Sequence, residues 1–160
     1  MRLPGDLNVK CLLPALLILM LAVSAQAEQD RAQPPLPTVI LRIGGQTLKV
    51  EVAADDTTRA AGLMYRESLE ENAGMLFVMP ATAPAGFWMR NTKIPLSIAY
   101  ISPTGVILEI HNLEPLNETP VRSRFPNIAY ALEVRRDWFS DHGVFPGARI
   151  EGIPPAVTAR

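Results

Sequence analysis

The sequence has little of what strong metal sites and nucleophilic sites need, with one cysteine and two histidines among 160 residues. Its net charge at pH 7 is only −1, which gives neither a basic surface for nucleic acid nor a strong attraction to an anionic membrane. No apolar run reaches the roughly 20 residues that a membrane-spanning helix needs. Disorder is also excluded, because 48% of the residues are apolar and only 19% are charged.

The first 27 residues predict a secretory signal peptide. The positive charges of Arg2 and Lys10 come before the apolar run Leu12–Val23, and small residues follow it at Ala25 and Ala27. This order of segments predicts cleavage after Ala27 and a location in the periplasm or outside the cell. Retention as an uncleaved anchor is the alternative, although the apolar run is little more than half of a membrane span.

The single cysteine, Cys11, lies before the apolar run, whereas a lipid-anchored cysteine follows such a run. Cleavage after Ala27 removes it, so the exported chain is predicted to have no disulfide, no thiolate nucleophile and no cysteine metal site. The exported protein must then be stable in an oxidising compartment through packing alone.

The rest of the sequence divides into a leader, one domain and a short tail. Residues 28–37 are polar and then proline-rich, which predicts a flexible leader. Residues 38–152 are predicted to form one domain, because they are enough for a single hydrophobic core and too few for two. Residues 153–160 are expected to form a disordered tail.

Short apolar segments separated by turn residues predict a mainly β domain. Gly44-Gly45 supplies the positive φ angles of a tight hairpin turn, and Pro103 and Gly105 mark a second hairpin. Pro80 is expected to end the strand in front of it. The predicted strands are Val39–Ile43, Gln46–Ala53, Met75–Met79, Phe87–Met89, Leu96–Ile101, Val106–His111, Ala129–Val134 and Ala148–Glu151.

Two short helical segments are predicted among these strands. The first is Thr57–Met64, capped by Asp55 or Asp56, and the second is a short helix or turn over Arg136–Asp141. Many short strands with one or two short helices indicate a single-domain β-sandwich or a closed barrel-like fold.

Three motifs of unusual composition lie close together in the sequence. They read G-L-M-Y-R at residues 62–66, G-M-L-F at residues 74–77 and F-W-M-R-N-T-K-I-P-L at residues 87–96. Together they resemble the prokaryotic "domain of unknown function 192" family, over roughly residues 38–152. The resemblance implies a small, mainly β and often exported domain for which no general biochemical activity is established.

One position departs from the pattern of that family. Where the family usually reads P-L-D-I, this chain has Pro95-Leu96-Ser97-Ile98. The hydroxyl of Ser97 can donate and accept hydrogen bonds, but it cannot replace a carboxylate as an acid, a base or a metal ligand. Ser97 is therefore a candidate ligand contact, while a carboxylate-dependent activity at this position is not expected.

Four further residues are candidates for binding a ligand. Arg66 could hold an anionic or sugar-like group through its planar fork of donors. Trp88 could stack on a ring, and Asn91 and Thr92 could present an amide and a hydroxyl. Arg66, Trp88 and Asn91 could line one wall of a shared pocket, because their motifs are flanked by loops at strand ends.

Each of these residues also has a plain structural interpretation, which the sequence favours. Arg66 could tie its loop to backbone carbonyls or to Glu67 or Glu70. Trp88 could pack in the core, and Asn91 could bond its own backbone in a turn.

Methionine sulfur and histidine nitrogen are the remaining candidate ligands and catalysts. Met64, Met75, Met79 and Met89 could bind Cu(I), but methionines in apolar strands are ordinarily core residues, so no metal and no cofactor is expected. His111 should face Glu109, two residues earlier on one strand, and this is interpreted as a surface ion pair.

The function predicted from these residues is binding rather than catalysis. We expect an exported, non-catalytic β domain that binds a small ligand or a partner protein of the cell envelope. An envelope enzyme, either a hydrolase or a carbohydrate-modifying enzyme that uses Glu109 or His111 with Arg66, is the first alternative. A structural accessory subunit is the second. The sequence has no G-x-S-x-G, H-x-x-x-H or phosphate-cradling glycine motif.

Overall fold

The structure is a computed structural model that describes residues 31–155. The predicted signal peptide, residues 28–30 of the predicted leader and residues 156–160 of the predicted tail lie outside the described residues. Within residues 31–155 the chain forms nine strands and two short helices. The strands are β1 (Thr38–Ile43), β2 (Gln46–Ala53), β3 (Ala73–Ala83), β4 (Gly86–Phe87), β5 (Leu96–Ile101), β6 (Ile107–Leu113), β7 (Val121–Arg122), β8 (Ile128–Arg135) and β9 (Ile150–Glu151), and the helices are α1 (Asp56–Ala61) and α2 (Trp138–Asp141).

Seven of these strands form one mixed sheet, in the order β6-β5-β8-β3-β2-β1-β9, while β4 and β7 form a separate pair. β2 and β3 are parallel, and the other neighbours in the large sheet are antiparallel. The sheet is a curled half-barrel. Its two edges meet at one end, where the N–H of Ile107 donates to the carbonyl of Ala148 at 2.9 Å. The prediction of a mainly β fold with two short helices is confirmed.

The central strands bury both of their faces. Leu76 and Val78 of β3 lie in one hydrophobic cluster, and the alternate residues Met75 and Phe77 lie in another. We name the first the Trp138 cluster, because it contains the fully buried Trp138, and the second the Phe77 cluster. A strand that is apolar on both faces must be covered on both, which explains the continuous apolar runs in the sequence.

The glycine hairpin turn and the helix cap that the sequence predicts are both present. Gly44 and Gly45 have φ angles of 57° and 82°, as the hairpin turn between β1 and β2 requires. Asp55 caps α1, since its Oδ1 accepts the N–H of Thr58 at 2.8 Å. The helix ends before Gly62, which has a φ of 49°, and so it is shorter than the predicted Thr57–Met64. No helix within residues 31–155 is long and apolar enough to cross a membrane.

The prediction that Pro80 ends a strand is wrong, because β3 continues through it to Ala83. The register of β3 against β8 shifts between Val78 and Ala83. Proline has no N–H to donate to a neighbouring strand, and it is tolerated at such an irregularity, where the ladder is already interrupted. The predicted strand Phe87–Met89 is also displaced, since β4 ends at Phe87.

Residues before β1 and after β9 are hydrogen-bonded to the rest of the fold. Gln33 donates from Nε2 to the carbonyl of Gly62 at 2.7 Å, and the N–H of Val52 donates to the carbonyl of Pro37 at 2.9 Å. Near the other end, the hydroxyl of Tyr130 donates to the carbonyl of Pro154 at 3.2 Å. Contact with the fold therefore begins before β1 and continues after β9.

Candidate functional site

A cavity of about 320 Å³ lies on the Phe77 side of the sheet, between α1, β3, β4 and the loop after β4. Most of its wall is aromatic, aliphatic or thioether. Three polar side chains also reach it, those of Arg59, Thr92 and Glu133. The large apolar side chains of its wall are Leu63, Met64, Phe77, Met79, Phe87 and Trp88. We call it the Glu133 cavity.

Glu133 is the unusual residue of this cavity. It lies in the middle of β8, between Met75 of β3 and Ile98 of β5, and only 4% of it is exposed. No hydrogen bond or ion pair from residues 31–155 reaches its carboxyl group. Burial raises the pKa of Glu133 to about 8, so the carboxyl is mostly protonated at neutral pH. A titratable group with this environment, next to a cavity, is a marker of a functional site.

Arg59 contributes little free charge to the cavity. Its Nη1 donates to the carbonyl of Val78 at 3.0 Å and also to the carbonyl of Ala54, and its Nη2 bonds the carboxylate of Asp56. The guanidinium is therefore held in place by α1 and β3 and is paired with Asp56.

Two of the five predicted ligand-binding residues line the cavity. Trp88 is 44% exposed, and the guanidinium of Arg90 lies 5.7 Å from the centre of its ring. The expectation that Trp88 packs in the core is wrong, because the loop after β4 carries it towards solvent. Thr92 is buried and lines the cavity, although its hydroxyl bonds the carbonyl of Arg90 at 3.2 Å.

Arg66 does not line the Glu133 cavity. It forms two hydrogen bonds to Glu51 of β2, at 2.6 and 2.9 Å, and Glu51 also accepts the N–H of Leu36 at 2.7 Å. Burial would raise the pKa of Glu51, but the hydrogen bonds from Arg66 and Leu36 outweigh it and hold this pKa below its usual value. Arg66 therefore ties its loop to Glu51 of β2, and not to the predicted Glu67, Glu70 or backbone carbonyls.

We expect replacement of Arg66 with alanine to lower the free energy of unfolding by roughly 1–3 kcal/mol at pH 7, because Glu51 keeps its burial and loses its partner. The pair stabilises the fold only while Glu51 is ionised. The difference from wild type should therefore shrink as the pH falls below about 4.5. Urea unfolding at pH 7 and pH 4 measures both effects. An equal loss at the two pH values would contradict the pairing.

The remaining two predicted residues fix loops rather than line the cavity. Asn91 donates from Nδ2 to the hydroxyl of Tyr65 at 2.6 Å, and its carbonyl accepts the N–H of Tyr65 at 2.8 Å. Ser97 donates to Oδ1 of Asn112 at 2.6 Å and accepts the N–H of Asp137 at 2.9 Å. The expected shared wall of Arg66, Trp88 and Asn91 is thus not formed. The chain does turn at Asn91, which has a φ of 54°, and the N–H of Thr92 donates to the carbonyl of Met89 at 3.0 Å, but the Asn91 side chain bonds Tyr65 and not its own backbone.

Glu109 and His111 form the predicted pair, with 2.8 Å between Oε2 and Nε2, but Glu109 is buried. Its Oε1 also accepts the N–H groups of Arg124 and Phe125, at 2.8 and 3.3 Å. Burial would raise the pKa of Glu109, and these hydrogen bonds together lower it. The carboxylate of Glu109 therefore holds the loop before β8 in place. Arg66, which the envelope-enzyme alternative combines with Glu109 or His111, is paired with Glu51 instead.

The methionines lie where apolar residues are expected. Met75 and Met89 are buried in the Phe77 cluster, and Met64 and Met79 line the cavity. Within the part of the chain that the structure describes, no three His, Asp, Glu or Cys side chains converge as a metal site would require.

Sequence reasoning missed Glu133, although a signal for it was present. It is the one charged residue in the predicted strand Ala129–Val134, whose other members are apolar. A carboxylate in a strand buried on both faces is rare, because its burial is costly.

The comparisons with known proteins agree with this architecture. A protein of Sinorhizobium meliloti 1021, provisionally described as a transcription regulator, is similar in structure with a TM-score of 0.71 and 38% identity, over 75% of this chain and 97% of that one. A protein of unknown function from Novosphingobium aromaticivorans DSM 12444 is similar with a TM-score of 0.69 and 30% identity, over 76% and 95%. Among curated proteins, none is significantly similar.

The family pattern covers most of the sequence. Residues 39–152 match DUF192, described as an uncharacterised ACR. This range includes every strand, apart from the first residue of β1, and all residues that line the Glu133 cavity. The three motifs in which the resemblance was seen all lie within this range. The chain belongs to the DUF192 family.

Proposed function

We propose that this protein binds a small organic ligand in the Glu133 cavity and does not itself catalyse a reaction. Ligand pockets of proteins are mostly apolar cavities of roughly 300–1,000 Å³ with a few placed polar groups, and the Glu133 cavity has this character. The observation that carries the proposal is the buried carboxyl of Glu133, which has no partner within residues 31–155. A bound ligand would supply the missing partner.

The polar groups of the cavity favour binding over catalysis. Among residues 31–155, Glu133 is the only carboxyl group that lines the cavity, whereas hydrolysis of glycosides typically uses two. The hydroxyl of Thr92 bonds a backbone carbonyl and has no base beside it to activate it as a nucleophile, and Arg59 is paired with Asp56. An envelope enzyme remains the second candidate for one reason. A carboxyl with a pKa near 8 can donate a proton at neutral pH.

We further propose that the protein acts in the periplasm or outside the cell, on the basis of the segment order of its first 27 residues. A role in transcription regulation, the description given to the Sinorhizobium relative, is not proposed, because a net charge of −1 gives no indication of a nucleic-acid surface. A structural accessory role would use exposed apolar residues away from the cavity, of which Phe145 is the most exposed.

Tryptophan fluorescence tests the proposal directly. Trp88 lies half-exposed at the cavity, while Trp138, the other tryptophan, is buried in the Trp138 cluster. A thermal-shift screen against amines, sugars, peptides, nucleotides and metals identifies compounds that stabilise the protein. We expect a true ligand to shift the emission of the wild type to shorter wavelength and to leave the emission of Trp88→Phe unchanged.

The same screen contains the outcomes that would contradict the proposal. Compounds that raise the melting temperature equally in the wild type, Trp88→Ala and Glu133→Gln bind elsewhere, and they would refute the cavity as the site. Conversion of a stabilising compound into a product would favour the envelope enzyme instead.

A further inference from the structure

We infer that the ligand of the Glu133 cavity is an organic ammonium cation with an apolar body, which pairs with Glu133 and packs against the rings of Phe77, Phe87 and Trp88. The inference rests on the proposed function and names the chemical class of its ligand. Four features of the cavity carry it: its aromatic rings, its sulfur atoms, the carboxyl of Glu133 and the pairing of Arg59 with Asp56.

The aromatic rings suit a cation. Phe77 and Phe87 meet edge to face, with 4.8 Å between ring centres, and Trp88 lies beside them in the cavity wall. The faces of such rings are electron-rich and attract ammonium and guanidinium groups. Arg90 already lies 5.7 Å from the ring centre of Trp88, so this ring accepts a cation in the protein itself. The polarisable sulfur atoms of Met64 and Met79 complete the wall.

The charges of the cavity suit a cation as well. Arg59 is paired with Asp56, and two of its N–H donors are held by the backbone carbonyls of Ala54 and Val78. An anionic ligand would lie next to the carboxyl of Glu133 and would have to compete with Asp56 for Arg59. A cationic ligand would form an ion pair with the ionised carboxylate of Glu133, and the apolar wall would shield this pair from water.

Among the described groups around Glu133, its own carboxyl is the group that has to lose a proton when a cation binds. Tyr100 of β5 is neutral, because burial raises its pKa well above the usual value. Lys49 of β2 and Arg90 at the ring of Trp88 form no ion pair within residues 31–155, but several other charged groups on this side of the sheet have partners within the protein. They form the pairs Glu51–Arg66 on β2, Glu109–His111 on β6, Arg59–Asp56 on α1 and Arg135–Glu71 beside β8.

Binding of an ammonium cation should therefore release one proton. The carboxyl O–H bond of Glu133 breaks, the proton passes to solvent, and the carboxylate accepts a hydrogen bond from the ammonium group. A neutral ligand that accepts a hydrogen bond from the protonated carboxyl would release none. The two kinds of ligand thus differ in their pH dependence.

The test uses two probes of nearly equal shape, 2-phenylethylamine and 2-phenylethanol, in calorimetric titrations at pH 6 and pH 8. The amine stays protonated at both values, because alkyl amines titrate near pH 10. We expect its Kd to fall about 50-fold from pH 6 to pH 8, since the ionised fraction of a group with a pKa of about 8 rises from about 1% to about one half. The alcohol should bind more weakly than the amine at pH 8, and its Kd should change by no more than about 2-fold.

Two variants separate the role of the carboxylate from a general effect of charge. Glu133→Gln should abolish the pH dependence of amine binding and leave binding of the alcohol unchanged. Glu118→Gln, which removes an exposed carboxylate outside the cavity, should bind both probes as the wild type does.

The outcomes distinguish this inference from the proposed function. If the alcohol binds as tightly as the amine at pH 8, or if Glu133→Gln binds the amine as the wild type does, the inference is refuted and the cavity remains a ligand site for another class. If neither probe binds and the thermal-shift screen yields no compound that depends on Trp88, both are refuted.

Discussion

Replacement of Glu133 with glutamine will stabilise the protein, and the gain will grow as the pH rises from 5 to 9. In the folded state the carboxyl stays protonated up to its pKa of about 8, while in the unfolded chain it ionises near pH 4.5. Between these values folding takes up a proton, so the free energy of unfolding of the wild type falls as the pH rises. The loss stops above the folded pKa. Glutamine has nearly the same shape and no charge to bury.

The expected gain is roughly 4–5 kcal/mol at pH 9 and below about 1 kcal/mol at pH 5, measured by urea unfolding at both values. Glu109→Gln is the matched control, because Glu109 is also buried but accepts three hydrogen bonds as a carboxylate. It should destabilise the protein at pH 7, by an amount that shrinks as the pH falls below about 4.5. A Glu133→Gln variant that is less stable than wild type at pH 9 would show that Glu133 has a partner when ionised.

Replacement of Trp138 with alanine will cost about 3–5 kcal/mol of unfolding free energy, the range found when a large aromatic residue is removed from a core. Trp138 is fully buried, meets Phe139 edge to face and stacks on His142, with 5.5 and 4.5 Å between ring centres. Its indole N–H also donates to Asn72 at 3.2 Å. The variant removes these contacts together and leaves a large hole in the Trp138 cluster.

Trp88→Ala is the control for this measurement, because it deletes the same side chain from a half-exposed position. Its cost should stay below about 1 kcal/mol, as is usual for exposed sites. Equal losses in the two variants would mean that the loop after β4 is as important for folding as the core beneath α2.

The parts of the fold that local chemistry determines could be predicted from the sequence. Gly44-Gly45 dictates its hairpin turn through positive φ angles, and Asp55 caps α1 through the N–H of Thr58. Pro80 misled the prediction, because a proline stops a strand only where the neighbouring strand needs its N–H. The register shift between β3 and β8 removes that need, and a shift between strands about 50 residues apart leaves no local mark.

The candidate site shows the same division. The motifs led to Trp88 and Thr92, which line the cavity, but Arg66 was given partners within four residues. Its partner, Glu51, lies 15 residues earlier, and their contact follows from the way the segment after α1 packs against β2. Glu133 escaped notice because its role depends on the neighbouring strands β3 and β5, which bury it without offering a hydrogen bond.

The segment around β9 serves both borders of the large sheet. β9 pairs with β1, and the residues just before it bond the start of β6 through Val106 and Ile107. Removal of this short segment would therefore leave backbone N–H and C=O groups of both β1 and the start of β6 without their partners. Exposed strand edges of this kind can pair with strands from other chains. A truncated form of this protein would for this reason be more prone to self-association than the small number of lost residues suggests.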